Sequence, residues 1–150
     1  MMPRALLIAV AAAVLSGIHA SLRPLTLAST RADPRSESTS PYSISLEATA
    51  AYFEDPDVIF IDASREDEYA GGHLPGAINL PLTRFARGAI PEELGYFSKN
   101  ATVVVYCSSA RCDAAHRVAE FMRTFGHEPV FVFHEGLEAW KRAGRPVEHP

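Results

Sequence analysis

Cysteine is scarce in this chain, with two residues in 150. So low a count excludes the disulfide frameworks that staple small secreted domains. The two, Cys107 and Cys112, lie in one short segment, so whatever they do together is local. An excess of positive charge is also missing. Lys and Arg number 14 against 18 Asp and Glu, a net charge of -4. Without a basic face, nucleic acid is not an expected partner. No internal repeat occurs. The chain also lacks a hydrophobic run long enough to span a bilayer, which takes about 20 apolar residues. Its longest, Ala5 to Leu15, falls short even when stretched past His19 to Leu22. What remains is ordinary for a globular protein: 47% hydrophobic and 21% charged residues, enough for one domain with a real core.

The N-terminal run has the layout of an export signal. Arg4 precedes the apolar stretch, and Ser16, Gly17, Ile18, His19 and Ala20 follow it. A positive end, a short apolar middle and a small residue at the exit form that pattern. Ala20 suits the position before a cut, although Ile18 is bulkier than usual. The expectation is an export signal or signal-anchor over 1–20, a Ser-, Thr-, Arg- and Pro-containing linker over 21–40, and one domain over 41–150. The domain would then lie outside the cytoplasm, periplasmic or anchored to the membrane through its N-terminus.

Within the domain, strand-like and helix-like segments alternate. Tyr42 to Ile44, Val58 to Ile61, Ala77 to Asn79, Thr102 to Tyr106 and Val130 to Phe133 read as strands. Continuous β-branched runs such as Val103-Val104-Val105 suit strands covered on both faces of a parallel sheet. Helices are expected over Leu46 to Phe53 with Ser45 as cap, and over Arg65 to Ala70 before Gly71-Gly72. Shorter helical pieces are expected over Leu82 to Arg87 and Glu92 to Phe97, the latter opened by Pro91. A longer helix follows Asp113, with apolar positions Ala114, Ala115, Val118, Ala119, Met122 and Phe125 and a stop at Gly126. A last helix runs from Leu137 to Ala143. This alternation predicts an α/β domain.

Working loops in parallel sheets gather at the carboxyl ends of the strands. Tyr106 closes the most apolar strand, and Cys107-Ser108-Ser109-Ala110-Arg111-Cys112-Asp113 follows it before a helix begins. A thiol at such a place is favoured as thiolate by nearby amides and the helix dipole, and the thiolate is the nucleophilic form. Cys107 is therefore the candidate nucleophile, and the competing role is that of a small buried hydrophobe. Ser108, Ser109, Ala110, Arg111 and Cys112 form the candidate cradle, with main-chain and hydroxyl donors and one fixed positive charge. Cys112 has three readings: a resolving thiol, a partner in a stable disulfide with Cys107, or a packing residue at the helix start. Asp62 ends its strand near the site and is a supporting residue, paired with Arg65 or a loop amide. Asp113 is a helix cap, and its carboxylate also repels anionic substrates. Cys112 and His116 are one helical turn apart and could share a metal, but no further ligand is evident, so no metal is assigned. His73 reads as a turn residue and Trp140 as core. His127, His134 and His149 form no pattern.

Three stretches together resemble the rhodanese-like domain family: Val58-Ile59-Phe60-Ile61-Asp62 with Glu68 to Pro81, Val103 to Cys107 with its loop, and Glu135-Gly136-Leu137-Glu138-Ala139-Trp140 with Gly144-Arg145-Pro146-Val147. The resemblance implies a mostly parallel five-stranded sheet flanked by helices on both faces. It also implies a catalytic cysteine that carries sulfane sulfur as a persulfide. The loop departs from the family pattern: Ala110 stands where glycine is frequent, Cys112 where arginine is frequent and Asp113 where serine is frequent. Ser64 stands where the family often has arginine. Phosphatases of similar fold need arginine six positions after the cysteine, where this chain has Asp113, so that activity is not expected.

The resulting expectation is a sulfurtransferase without a cofactor, taking sulfur from a small donor and passing it to a thiol. Asp113 favours persulfide or polysulfide over thiosulfate as donor. A thiol–disulfide redox protein using Cys107 and Cys112, and a non-catalytic binding module, are the alternatives.

Overall fold

The computed structural model describes residues 40–150. The expected export segment and nearly all of the expected linker lie outside the described residues. Among the described residues no helix is long and apolar enough to cross a membrane.

The sheet has five strands: β1 (Ser43–Ile44), β2 (Ile59–Asp62), β3 (Ile78–Asn79), β4 (Val103–Tyr106) and β5 (Val130–Phe133). Their spatial order is β1-β5-β4-β2-β3, and every neighbouring pair is parallel. The most apolar strand, β4, takes the centre, and all four of its residues are fully buried. Successive side chains point to opposite faces. Val103 and Val105 therefore join one core, with Ile61, Val130, Val132, Val118 and Met122. Val104 and Tyr106 join the other, with Phe60, Phe133, Leu137 and Trp140.

Four α-helices cover these faces: α1 (Leu46–Phe53), α2 (Glu66–Ala70), α3 (Ala114–Thr124) and α4 (Gly136–Arg142). The three- and four-residue apolar spacing of α3 buries Ala115, Val118, Ala119 and Met122 against β4 and β5. Burying a side chain the size of Val118 or Met122 is worth about 1.5–3 kcal/mol, so this stripe, more than helix propensity, holds α3 in place. Ser45 caps α1 as expected, its hydroxyl accepting the Ala48 N–H at 3.2 Å.

Two local expectations need correction. Asp113 precedes α3 but makes no side-chain cap bond. Its backbone is already helical (φ -79°, ψ -10°), whereas a capping side chain needs an extended residue to reach back over the first turn. The helical pieces Leu82–Gly88 and Glu92–Gly95 are 3-10 helices, and the second ends before Phe97. Here the tighter winding serves as a connector between elements. Pro91 accordingly stands at the N-cap of the second piece, just outside it.

Candidate active site

β4 delivers Cys107 to the carboxyl end of the sheet, where the chain leaves the strand and curls through Ser108 to Cys112 before α3. The Cys112 N–H donates to the Ser109 carbonyl at 3.0 Å, closing a tight turn. This turn brings the two cysteine Cα atoms within 6.1 Å, and Cys107 and Cys112 are joined by a disulfide. Of the three readings of Cys112, the packing role alone is therefore insufficient. Its sulfur is bonded, although the side chain also packs against the α3 core. The two cysteines differ in access: Cys107 is 2% exposed and Cys112 half-buried.

The loop is held from the opposite side by the start of α4. The Leu137 N–H donates to the Cys107 carbonyl at 2.9 Å, and the Glu138 N–H to the Ser108 carbonyl at 3.1 Å. These first amides of α4 thus serve the loop's carbonyls, not the sulfur. The close approach is possible because residue 136 is glycine. A Cβ there would lie 2.5 Å from the Cys107 oxygen, and the backbone has φ +69°. The amides of Ser108, Ser109, Ala110 and Arg111 donate to no acceptor among the described residues.

Two hydroxyls flank the Cys107 sulfur. Ser64 Oγ donates to it at 3.7 Å, and Ser108 Oγ lies 3.9 Å away. Ser108 also donates to Glu68 Oε1 at 3.3 Å, which brings a carboxylate from α2 to the rim. Arg111 and Asp113 are exposed and form no ion pair among the described residues.

Asp62 is fully buried at the end of β2, opposite Tyr106 of β4. Of its two expected partners it takes a backbone amide, just beyond β2. Its Oδ1 accepts the Ser64 N–H at 2.8 Å, while Oδ2 has no partner. Desolvation raises its pKa above the ordinary carboxylate value, only partly offset by bonds from Ser64. The Asp62–Arg65 pair does not form. Arg65 is turned to solvent, bridging to Asp67 at 3.0 Å and Glu68 at 3.8 Å, where its charge keeps its hydration. Burial, with the Asp62 carboxylate beside it, pushes the Tyr106 phenol far upward, and its oxygen accepts the Leu74 N–H at 3.0 Å.

The Cys112 sulfur is taken up by its bond to Cys107 rather than shared with His116. Among the described residues no group of three ligating side chains is found. His116 instead meets His134, which follows β5, with 3.3 Å between ring nitrogens. Burial first, and then the His134 ring, holds His116 below its ordinary value of 6.5. Above that value neither folded nor unfolded His116 binds a proton. Below it the unfolded chain takes up the proton first, so this residue subtracts stability as pH falls toward its folded value. Wild type should lose more urea resistance between pH 7.5 and 5 than a His116→Gln variant. Comparing the two proteins isolates the effect, because His127 is shifted the same way and Asp62 the opposite way. Equal losses would remove the His116 assignment.

Ser64, Glu68 and Gly136 are site residues that the sequence reading did not single out. Ser64 stands out in the sequence as a departure from a family pattern, and Glu68 and Gly136 occur there only within the stretches that carry the resemblance. The others depend on which elements meet at the loop.

A family model described as Rhodanese-like domain matches residues 45–143. Over 92 residues the chain is 33% identical to the HTH-type transcriptional regulator Rv0324 of Mycobacterium tuberculosis, covering 61% of this chain and 38% of that protein. Over 94 residues it is 29% identical to a sulfurtransferase of Allochromatium vinosum, covering 63% and 81%. The chain spans less than half the length of the first two curated relatives it matches, 38% and 46%. The crystal structure of SseA from Escherichia coli, described by its rhodanese fold, superposes with a TM-score of 0.62 at 24% identity, over 73% of this chain and 50% of that one. At that identity the likeness establishes the fold.

Proposed function

Because this chain belongs to the rhodanese-like domain family, we propose that it is a sulfurtransferase in which Cys107 carries the transferred sulfur. One observation carries the reading: the Cys107 sulfur sits at the carboxyl end of the central strand between two hydroxyls, 3.7 and 3.9 Å away. In the reduced protein the Cys107 thiolate attacks the outer sulfur of a persulfide or polysulfide. The sulfur–sulfur bond of the donor breaks, the donor leaves as a thiolate, and Cys107 becomes a persulfide. An acceptor thiolate then takes the outer sulfur and returns Cys107 to its starting form. The unpaired loop amides and the Ser109 hydroxyl are the donors for this charge, with Arg111 adding a positive one. Glu68 and Asp113 on the rim oppose a doubly charged donor such as thiosulfate. No step requires a cofactor.

A thiol–disulfide role is the second reading, favoured by the Cys107–Cys112 bond itself. Attack of the Cys112 thiolate on the inner sulfur of the Cys107 persulfide would give this bond and release hydrosulfide, which connects the two readings. Two equivalents of external thiol would then restore the reduced pair. The N-terminal pattern supports an exported location, and a disulfide accords with an oxidising compartment.

Mass spectrometry of the reduced protein tests the assignment. After polysulfide treatment, the Cys107 peptide should gain about 32 Da, one sulfur atom, and thiosulfate should give much less. No gain with either donor even in a Cys112→Ser variant, where no neighbouring thiolate resolves the persulfide, together with a reversible loss of two hydrogens across the cysteines of the wild type, would replace sulfur transfer with the redox reading.

A further inference from the structure

We propose that Ser64, clamped by Asp62 and Asn79, is the hydroxyl donor that keeps the buried Cys107 sulfur in its thiolate form. The proposal rests on the sulfur-chemistry reading of Cys107 and assigns a residue that the loop pattern does not contain.

Burial works against reactivity here. Cys107 packs among Ala63, Val105 and Ala115 in the α3-side core. A thiol in apolar surroundings holds its proton more tightly, because the anion loses hydration. A donor fixed at the sulfur reverses that preference, since hydrogen bonds to a charged acceptor are the stronger kind. Ser64 Oγ is a buried donor to this atom, at 3.7 Å across 43 residues of sequence. A disulfide sulfur is a weak acceptor, and a thiolate at the same place is a much stronger one.

The hydroxyl is held in advance. The Ser64 N–H is bound to Asp62 Oδ1 at 2.8 Å. Asn79 on β3 donates through Nδ2 to the Ser64 carbonyl at 3.0 Å and to the Asp62 carbonyl at 3.1 Å. Neighbouring strands thereby fix the backbone of residue 64, and little freedom is lost when the hydroxyl engages the sulfur. Ser64 is itself 2% exposed, so water does not compete for it. Asp62 and Asn79 are positioning residues, and neither hydrogen-bonds to the sulfur.

Disulfide opening follows the same asymmetry. An incoming thiolate meets the half-buried Cys112 sulfur first. Its attack forms a mixed disulfide on Cys112, breaks the Cys107–Cys112 bond and expels Cys107 as the thiolate, already facing Ser64.

The test is thiolate absorbance near 240 nm against pH in a Cys112→Ser background, where Cys107 is the sole thiol. The other titratable groups around the loop stay in place: Asp62 on β2, Glu68 on α2, Arg111 and Asp113 in the loop, His116 on α3 and Glu138 on α4. Adding Ser64→Ala should raise the Cys107 midpoint by about one unit, roughly a tenfold loss of thiolate below the midpoint. Ser64→Thr should restore most of it. Asn79→Ala, which keeps the hydroxyl but frees its backbone, should give a smaller rise, and it serves as the test if Ser64→Ala does not fold. A midpoint unchanged within about 0.3 unit in the folded variant, or a threonine variant no better than alanine, overturns the proposal. Sulfur loading is measured on the same proteins. A shift without loading keeps Ser64 and removes sulfur transfer, whereas loading without a shift does the reverse.

Discussion

A Cys107→Ser variant is expected to load no sulfane sulfur, falling below about one-hundredth of the wild-type yield after polysulfide treatment, as removal of a nucleophile does. Hydroxyl oxygen forms no persulfide, and Cys112 is poorly placed to substitute. It precedes α3 on the far side of the tight turn, and Ser64 donates to the Cys107 sulfur rather than to it. The companion Cys112→Ser variant should load normally. It should also hold the added sulfur longer, because no neighbouring thiolate remains to attack the persulfide and release hydrosulfide. Intact mass and peptide mapping separate these outcomes. Equal loss of loading in the two variants would mean that the cysteines act only as a pair, which is the redox reading. Loading retained in Cys107→Ser would remove Cys107 from the chemistry altogether.

Gly136→Ala is expected to damage stability and sulfur loading together, although residue 136 carries no functional group. The added methyl would sit 2.5 Å from the Cys107 carbonyl oxygen and 3.2 Å from the Ser109 backbone nitrogen and Cα. These are main-chain atoms of the loop, so relief requires moving the loop or α4. Backbone strain at φ +69° adds to the clash. Strain and overpacking each cost on the order of 1–3 kcal/mol, so a loss of about 3 kcal/mol is expected, near 10 °C in melting temperature for a domain of this size. Moving α4 away also breaks the bonds from Leu137 and Glu138 to the Cys107 and Ser108 carbonyls. Loading measured well below the melting transition should therefore fall too. A variant with wild-type melting and wild-type loading would show that α4 does not brace the loop.

Most of the architecture is legible along the chain because it follows from local chemistry. The β-branched runs around Ile61, Val104 and Val132 can be satisfied only by strands covered on both faces, and those strands form. Ser45 announces α1 and Gly126, at φ +83°, the end of α3, because caps and left-handed residues are short-range requirements. The same short-range reasoning misplaced the side-chain role of Asp113. The turn that closes the cysteine loop winds its backbone into a helical conformation before α3 begins, and propensity at one residue does not reveal that.

The candidate site divides differently. The position of Cys107 at a strand end, and the presence of Cys112 in the same loop, were readable from residue order. Residue order does not decide their bonding, since disulfide formation depends on side-chain directions that spacing does not specify. Residue order allows either Arg65 or a loop amide as the partner of Asp62, and the structure buries Asp62 on the Ser64 amide and leaves Arg65 in solvent.

By itself, then, the sequence determined the alternation of strands and helices, the family, and which sulfur stands at the end of the central strand, because each is written in contiguous residues. Tertiary structure alone decided that Ser64 reaches this sulfur, that Gly136 braces the loop and that the two cysteines bond. Those contacts join segments 27 to 43 positions apart or turn on the curl of one loop, and only packing brings such atoms together.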